Sequence, residues 1–144
     1  MARVSFLFLI FALAVPPAMA QLSVIGKWQT IDDTSQEVRS IVELFEVDGK
    51  IHGKIVKIYL KPGETPDPLC TACDPADDRY NKKVIGMEIL RGMQQEKDSY
   101  AGGEILDPEA GKVYRCRIWL ENGLLKVRGY WGPFFRTQTW KRAQ

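Results

Sequence analysis

Three cysteines and one histidine are the residues of this chain most suited to chemistry. Cys70 and Cys73 are separated by two residues, a spacing shared by redox-active thiol pairs, zinc sites and short disulfides. Pro68 precedes the pair and Asp74-Pro75 follows it, with further aspartates nearby. This environment opposes redox catalysis, because a reactive thiolate needs a helix N-terminus or positive charge. We therefore predict a structural disulfide between Cys70 and Cys73, with metal binding and a thiol-redox role as alternatives.

The remaining cysteine and the histidine predict neither a metal site nor a cofactor site. A structural zinc site needs four ligands. His52 lies in a predicted strand, opposite Phe45 and far along the chain from the close cysteines. Cys116 alternates with Ile118 on the apolar side of another predicted strand, where a free thiol behaves as a small hydrophobic side chain. We predict that Cys116 is buried and unpaired, and that no metal or cofactor binds.

Catalytic residues are not predicted. The sequence has no G-x-S-x-G motif, no second histidine for a proton relay and no glycine-rich phosphate loop before a helix. Adjacent acids occur at Asp32-Asp33 and at Asp77-Asp78, but such pairs are typical of turns and caps. The sequence therefore favours a protein that is not an enzyme.

Basic side chains are concentrated near the end of the chain. Residues 112–142 contain eight basic side chains and one acidic side chain, Glu121. In the hairpin predicted there, Arg117 lies directly opposite Arg128, which is destabilising unless an acid, water or an anionic ligand compensates. A lipid headgroup, a polysaccharide or a carboxylate would be such a ligand. We name the basic-aromatic face as the candidate anionic-ligand surface; it comprises Arg115, Arg117, Trp119, Lys126, Arg128 and Tyr130.

Strands are the elements that must position these residues, because the apolar pattern has a period of two nearly throughout. Asp48-Gly49 and Asn122-Gly123 are strong signals for two-residue hairpin turns. The first turn sets Val42 opposite Ile55, and the second sets Ile118 opposite Val127. Only residues 90–98 offer a weak helical candidate. The predicted strands are 25–31, 37–47, 50–60, 84–90, 100–106, 112–120, 124–130 and 134–141.

About eight neighbouring strands joined by short turns predict an all-β, antiparallel up-and-down barrel, because closure removes exposed sheet edges. A β-sandwich is the alternative architecture. The one long connection, residues 61–83, contains four prolines, Cys70, Cys73 and five acids. A loop of this length in a compact domain is usually functional or flexible.

Composition and the first residues indicate an exported protein. The chain has 144 residues, 45% hydrophobic and 26% charged, with a net charge of +2, which argues against disorder and against a polybasic arm for nucleic acid. Arg3, an apolar run over 4–15 and the segment Ala18-Met19-Ala20 form a predicted signal peptide, residues 1–20. Cleavage leaves residues 21–144 as one predicted domain without a transmembrane segment.

Two short segments resemble the calycin, or lipocalin-like, arrangement. They are Gly26-Lys27-Trp28 on the first predicted strand and Arg136-Thr137-Gln138-Thr139-Trp140 on the last. The resemblance implies that Arg136 stacks on the indole of Trp28 where the barrel closes, a cation–π contact of about 1–2 kcal/mol. It thereby implies a barrel-closure set of Gly26, Trp28, Arg136 and Trp140.

A wider set of motifs resembles a family of exported bacterial proteins catalogued as a domain of unknown function (number 2147). These motifs include Asp48-Gly49-Lys50-Ile51, Cys70-x-x-Cys73, Gly103-x-Ile105-Leu106-Asp107-Pro108 and Leu125-Lys126-Val127-Arg128-Gly129-Tyr130. The resemblance implies a lipocalin-like barrel in the periplasm and carries over no reaction. We expect non-catalytic binding of a small apolar or anionic ligand. The alternatives are a structural or interaction protein of the cell envelope with a basic face, and a thiol-redox role for Cys70 and Cys73.

Overall fold

Eight antiparallel strands form a closed barrel in the computed structural model, which describes residues 23–144. Each strand pairs with its neighbours in sequence, and the last strand returns to the first. The predicted up-and-down barrel is confirmed, and the predicted signal peptide, 1–20, lies outside the described residues. The strands are β1 (Gly26–Ile31), β2 (Val38–Val47), β3 (Lys50–Ile58), β4 (Glu88–Glu96), β5 (Ser99–Asp107), β6 (Lys112–Glu121), β7 (Leu124–Trp131) and β8 (Phe134–Arg142).

Two tight turns fix the register of the predicted hairpins. Asp48 and Gly49 both have positive φ, at 50° and 75°, as a two-residue turn between right-twisted strands requires. Asn122 and Gly123 repeat this geometry between β6 and β7. The predicted pairs follow in both hairpins, including Val42 with Ile55, Phe45 with His52, and Ile118 with Val127.

The region before and within β4 differs from the sequence prediction. Residues 84–87 belong to the long connection rather than to a strand, because Gly86 has a φ of 90° and its N–H donates to the Ile55 carbonyl. The weak helical candidate at 90–98 is wrong, since residues up to Glu96 continue β4. Gly92, with a φ of 68°, interrupts the regular alternation there and explains why no clean period of two is visible.

Apolar side chains fill the middle of the barrel. Trp28, Leu90 and Trp140 are buried, and a Cβ on Gly53 would lie 3.2 Å from the Val42 and Leu90 side chains. Close packing of this kind leaves few voids larger than a water molecule. The buried inward-facing residues are Trp28, Val42, Leu44, Ile51, Ile55, Leu90, Met93, Cys116, Ile118, Leu125, Val127 and Trp140.

Buried apolar side chains also lie on the outer face of the barrel wall, as part of the same hydrophobic cluster as the interior. Ile89 and Leu106 alternate with the inward-facing side chains of β4 and β5, yet both are buried. The long connection covers them, and it contributes Cys70, Cys73 and Val84 to the same apolar cluster. The long connection is therefore a packed layer on the outer face of the sheet.

The two ends of the barrel differ in the connections between strands that lie there. The Trp28 end holds the start of β1, the end of β8 and the tight β2–β3, β4–β5 and β6–β7 turns; the opposite, long-loop end holds the other connections. The seam between β1 and β8 contains only two residue pairs, Trp28 with Arg142 and Gln29 with Lys141. Main-chain pairing across this seam is thus confined to the Trp28 end.

Candidate functional site

The close cysteines form the predicted disulfide, Cys70–Cys73. Both are buried against the β5–β6 turn, where the Cys70 sulfur lies 3.5 Å from the Pro108 carbonyl oxygen. Gly111 has a φ of 66°, and a Cβ there would overlap the Ala72 carbonyl, so only glycine permits this contact. Because the sulfurs are shielded from solvent, the arrangement favours the structural interpretation over the thiol-redox alternative.

Buried charge fixes the rest of the long connection to the barrel wall. The Arg79 side chain is only 4% exposed; it pairs with Asp77 at 2.7 Å and Glu104 at 3.0 Å, and donates to the Glu88 carbonyl. The hydrogen bond from Arg79 holds the pKa of Asp77 well below its usual range. Arg91 pairs with Asp78 at 2.8 Å in the same way. The paired acids at Asp77-Asp78 therefore anchor the loop.

The lone histidine and the third cysteine have structural surroundings. His52 stacks on Phe45 with ring centroids 6.0 Å apart, and its Nδ1 lies 3.2 Å from a Glu88 carboxylate oxygen. Cys116 is a buried free thiol, and burial raises its pKa to about 12. Within residues 23–144, no group of three or more histidine, cysteine or acidic side chains is placed to hold a metal ion.

The barrel-closure set needs one correction. Arg142, and not Arg136, lies over the Trp28 ring, with its guanidinium carbon 4.0 Å from the ring centroid. Its terminal nitrogens donate to the carbonyls of Ile25 and Ser23 at 2.8 and 2.7 Å. The register of the seam explains the difference, because it pairs Trp28 with Arg142 and leaves Arg136 six residues away along β8.

The other members of that set occupy different parts of the seam. Gly26 has a φ of 119°, and a Cβ there would lie 2.8 Å from an Arg142 nitrogen. Trp140 is buried inside the barrel. Arg136 is exposed toward the long-loop end and forms an ion pair with Asp33. This pair bridges β8 and the β1–β2 turn where the main-chain ladder of the seam is missing.

The basic-aromatic face lies on the outside of the barrel in three rows across β6, β7 and β8. The rows are Arg115–Tyr130–Phe135, Arg117–Arg128–Thr137 and Trp119–Lys126–Thr139. This is the face opposite the buried Ile118 and Val127, as alternation requires. All six predicted residues of the face are therefore brought together, and Phe135 joins them.

The opposed arginines of this face are compensated in two different ways. Arg117 donates to Glu96 at 2.8 Å and to the Ser99 hydroxyl at 2.8 Å, so the end of β4 supplies the acid. Arg128 has aromatic partners instead. Its guanidinium carbon lies 5.0 Å from the Trp119 ring and 4.3 Å from the Phe135 ring, and its Nε donates to Thr137.

A cluster of exposed aromatic side chains continues the inward-facing rows beyond the long-loop end. Trp131 and Phe134 are 47% and 63% exposed. Trp131 lies 5.9 Å from Tyr114 and 6.2 Å from Phe134, measured between ring centroids. We call Tyr114, Trp131 and Phe134 the rim cluster. The sequence prediction missed the rim cluster. Its signal in the sequence is the pair of aromatic residues flanking the Gly132-Pro133 turn, because residues at such turns are normally polar.

Two open grooves lie on the surface formed by residues 23–144. The larger has a volume of about 730 Å³ and lies outside the wall, lined by Lys50, His52, Arg91, Gly102, Glu104 and Arg115 among others. The smaller, about 270 Å³, lies beside Arg39 and Tyr59. Neither is lined by the buried side chains of the barrel interior.

A closed eight-stranded antiparallel up-and-down barrel with an apolar interior is a lipocalin-like fold. Protein HP1028 from the human pathogen Helicobacter pylori, described as belonging to the lipocalin family, has a similar fold: the TM-score is 0.71 and the identity 24%, over 86% of this chain and 85% of that one. The chain belongs to the family described as "Uncharacterized protein conserved in bacteria (DUF2147)", which matches residues 26–142. No curated protein matches the chain.

Helices do not contribute a membrane span to the described part of the chain. Between residues 23 and 144, none is both long enough and apolar enough to cross a bilayer.

Proposed function

We propose that this chain is an exported, periplasmic and non-catalytic binding protein whose ligand is held at the rim of the barrel. The ligand would be a small molecule with an apolar part and an anionic group. The observation that carries the proposal is the rim cluster, in which Trp131 and Phe134 expose large aromatic surfaces. Exposed rings of this size mark binding sites in soluble proteins.

The filled interior argues for the rim and against deep insertion of a ligand. Eight-stranded barrels either hold one small ligand or are filled by their own side chains. Here Trp28 and Trp140 fill the interior at the Trp28 end, and Leu90 and Cys116 are buried further along it. A ligand that approaches the opening of the barrel would therefore contact Trp131 and Phe134 at the long-loop end first. Tyr114 would be the next ring that it contacts.

A basic side chain at the rim supports an anionic group on the ligand. Arg136 lies two residues from Phe134 on the same face of β8, and it is exposed. Its ion pair with Asp33 is a surface pair, which typically contributes at most about 1 kcal/mol. A carboxylate on the ligand can replace Asp33 at little energetic cost.

The test is a fluorescence titration with decanoate, with its methyl ester and with a short carboxylate. We expect decanoate to bind more tightly than either analogue, and Phe134→Ser to weaken that binding. Phe45→Ser is the matched control, because Phe45 is an outward-facing ring of β2, away from the rim. If the protein extracted from its native envelope carries nothing and none of the probes changes its fluorescence or melting temperature, the proposal is wrong.

A second function, interaction with an envelope component through the basic-aromatic face, is favoured by the fixed, outward-facing Arg128. Binding through the basic-aromatic face should weaken as the salt concentration rises, because exposed charges are screened by salt. This salt dependence distinguishes it from ligand binding at the rim.

A further inference from the structure

Arg128 is held in one orientation while the ends of its guanidinium are left without an acid. The rings of Trp119 and Phe135 lie 5.0 and 4.3 Å from its guanidinium carbon, and Thr137 accepts from Nε at 2.8 Å. Among residues 23–144, no carboxylate lies within ion-pair distance of Arg128, whereas Arg117 beside it is paired with Glu96. An immobilised, unpaired guanidinium is well suited to bind an anion, and particularly a phosphate.

Arg115 adds a second unpaired charge to the same surface. It is exposed, its guanidinium carbon lies 5.9 Å from the Tyr130 ring, and Tyr130 separates it from Phe135 in the same row. Its cross-strand neighbour on β5 is Glu104, which forms its ion pair with Arg79, and no carboxylate of the described residues lies within ion-pair distance of Arg115. Arg115 and Arg128 therefore form a positive pair on diagonal positions of β6 and β7.

Exposed aromatic side chains adjoin these charges. Phe135 is 55% exposed, and its ring lies 6.1 Å from that of Tyr130. A free phosphate or carboxylate would use the guanidinium groups and leave these rings in water. A partner that presents negative charge and apolar surface side by side would use both.

We propose that the basic-aromatic face, with Phe135, docks on an anionic phospholipid surface. Arg115 and Arg128 contact lipid phosphates, and the rings of Tyr130 and Phe135 enter the interfacial layer, where aromatic side chains are favoured. Each arginine near such a surface contributes about 1 kcal/mol. The inference is independent of ligand binding at the rim, because its residues face outward from β6–β8 and the rim cluster continues the inward-facing rows.

The experiment measures binding of the full chain to vesicles of phosphatidylcholine, with and without phosphatidylglycerol, by flotation at low and high salt. We expect binding only when phosphatidylglycerol is present, and release at high salt. The double variant Arg115→Ala/Arg128→Ala should bind about 25-fold more weakly, about fivefold for each arginine. Phe135→Ser should weaken binding at low salt, where the wild type is bound.

Lys57→Ala/Lys82→Ala is the matched control, because it removes the same charge from exposed lysines of β3 and the long connection. We expect it to bind like the wild type. Circular dichroism and thermal melts show whether each variant is folded. The salt dependence of vesicle binding by the wild type tests the proposal even if a variant does not fold. The proposal is overturned if the wild type binds both vesicle types equally, or if the control variant loses as much binding as the arginine variant. It is also overturned if the wild type does not bind vesicles while inorganic phosphate raises its melting temperature, which would indicate a free anion as the ligand. Failure to bind vesicles together with self-association through this face would overturn it as well.

Discussion

Arg142 covers the indole of Trp28 and joins the last strand of the barrel to the first. The guanidinium carbon lies 4.0 Å from the ring centroid, while the two terminal nitrogens donate to the carbonyls of Ile25 and Ser23. One side chain thus stacks on the core tryptophan and satisfies two carbonyl groups of the entering chain. No other described residue makes both kinds of contact across the seam.

Replacing Arg142 should therefore destabilise the fold more than replacing Arg136. Arg142→Ala loses the stacking and leaves two carbonyls without their donors, so we expect a loss of about 2 kcal/mol in the free energy of unfolding. Arg142→Lys should recover little, because an ammonium group cannot reproduce the planar stack. Arg136→Ala breaks an exposed pair with Asp33 and should cost less than about 1 kcal/mol. Urea melts followed by tryptophan fluorescence measure all three, and equal midpoints for Arg142→Ala and Arg136→Ala would contradict the assignment.

Gly111→Ala should displace the disulfide loop. Its new Cβ would overlap the Ala72 carbonyl, whereas Gly123, with a similar positive φ of 75°, has open space around it. Gly123→Ala therefore reports the backbone strain alone, about 1–2 kcal/mol. We expect Gly111→Ala to exceed that loss by about 2 kcal/mol, and limited proteolysis to cut residues 61–83 in this variant only. Equal losses in the two variants would show that the loop does not need this close approach.

Cys116 should be unreactive in the native protein. The other two cysteines form the disulfide, and burial raises the pKa of the Cys116 thiol to about 12. At pH 8, a disulfide-exchange reagent should therefore titrate no thiol before unfolding and one thiol in denaturant without reductant. Three thiols released by denaturant alone would contradict the disulfide, and fast native labelling would contradict the burial.

Asp77→Asn should destabilise the protein at neutral pH and reduce its sensitivity to acid. The folded-state pKa of Asp77 is well below the unfolded value near 4, because Arg79 donates to the carboxylate. The resulting stability is present above the unfolded pKa and is lost as the pH falls toward the folded one. We expect a loss of about 2 kcal/mol at pH 7, since Arg79 is buried and loses a charged partner.

The matched comparison for this prediction is Asp67→Asn, which breaks the exposed pair with Lys83. We expect that variant to stay within about 0.5 kcal/mol of the wild type. Urea midpoints at pH 7 and pH 3 should converge between wild type and Asp77→Asn as acid removes the interaction. A constant difference between them over this range would exclude Asp77 as the acid-sensitive group.

The sequence predicted the hairpins well because their registers are set locally. Asp48-Gly49 and Asn122-Gly123 impose two-residue turns, and every pair along β2–β3 and β6–β7 then follows up to a bulge beside Ile41. The partner of Trp28 could not be found this way, since no tight turn connects β1 to β8. Motif resemblance favoured Arg136, but the seam register selects Arg142.

In the candidate sites, too, the sequence predicted contacts within one hairpin but not contacts between segments that are far apart in the chain. Alternation placed Arg128 on the outer face with Arg117 opposite, and both positions follow from one hairpin. It could not show that Ile89 and Leu106 face outward and are nevertheless covered, because the covering loop is set by contacts such as Cys70 with Pro108. The compensating acid of Arg117, Glu96, lies at the end of β4, within the stretch 90–98 that the apolar pattern favoured as a weak helix because Gly92 interrupts the period of two.

The position of the β1–β8 seam has a consequence for the order of folding. Synthesis runs from β1 to β8, so Lys141 and Arg142 become available only after the other seven strands. Until then the sheet is a curled ribbon with two free edges, and such edges pair readily with other chains. Closure must also join residues more than a hundred positions apart, which slows folding. The chain is therefore most exposed to misassembly before β8 is complete, and loss of Lys141 and Arg142 would leave β1 and β8 as unpaired edges.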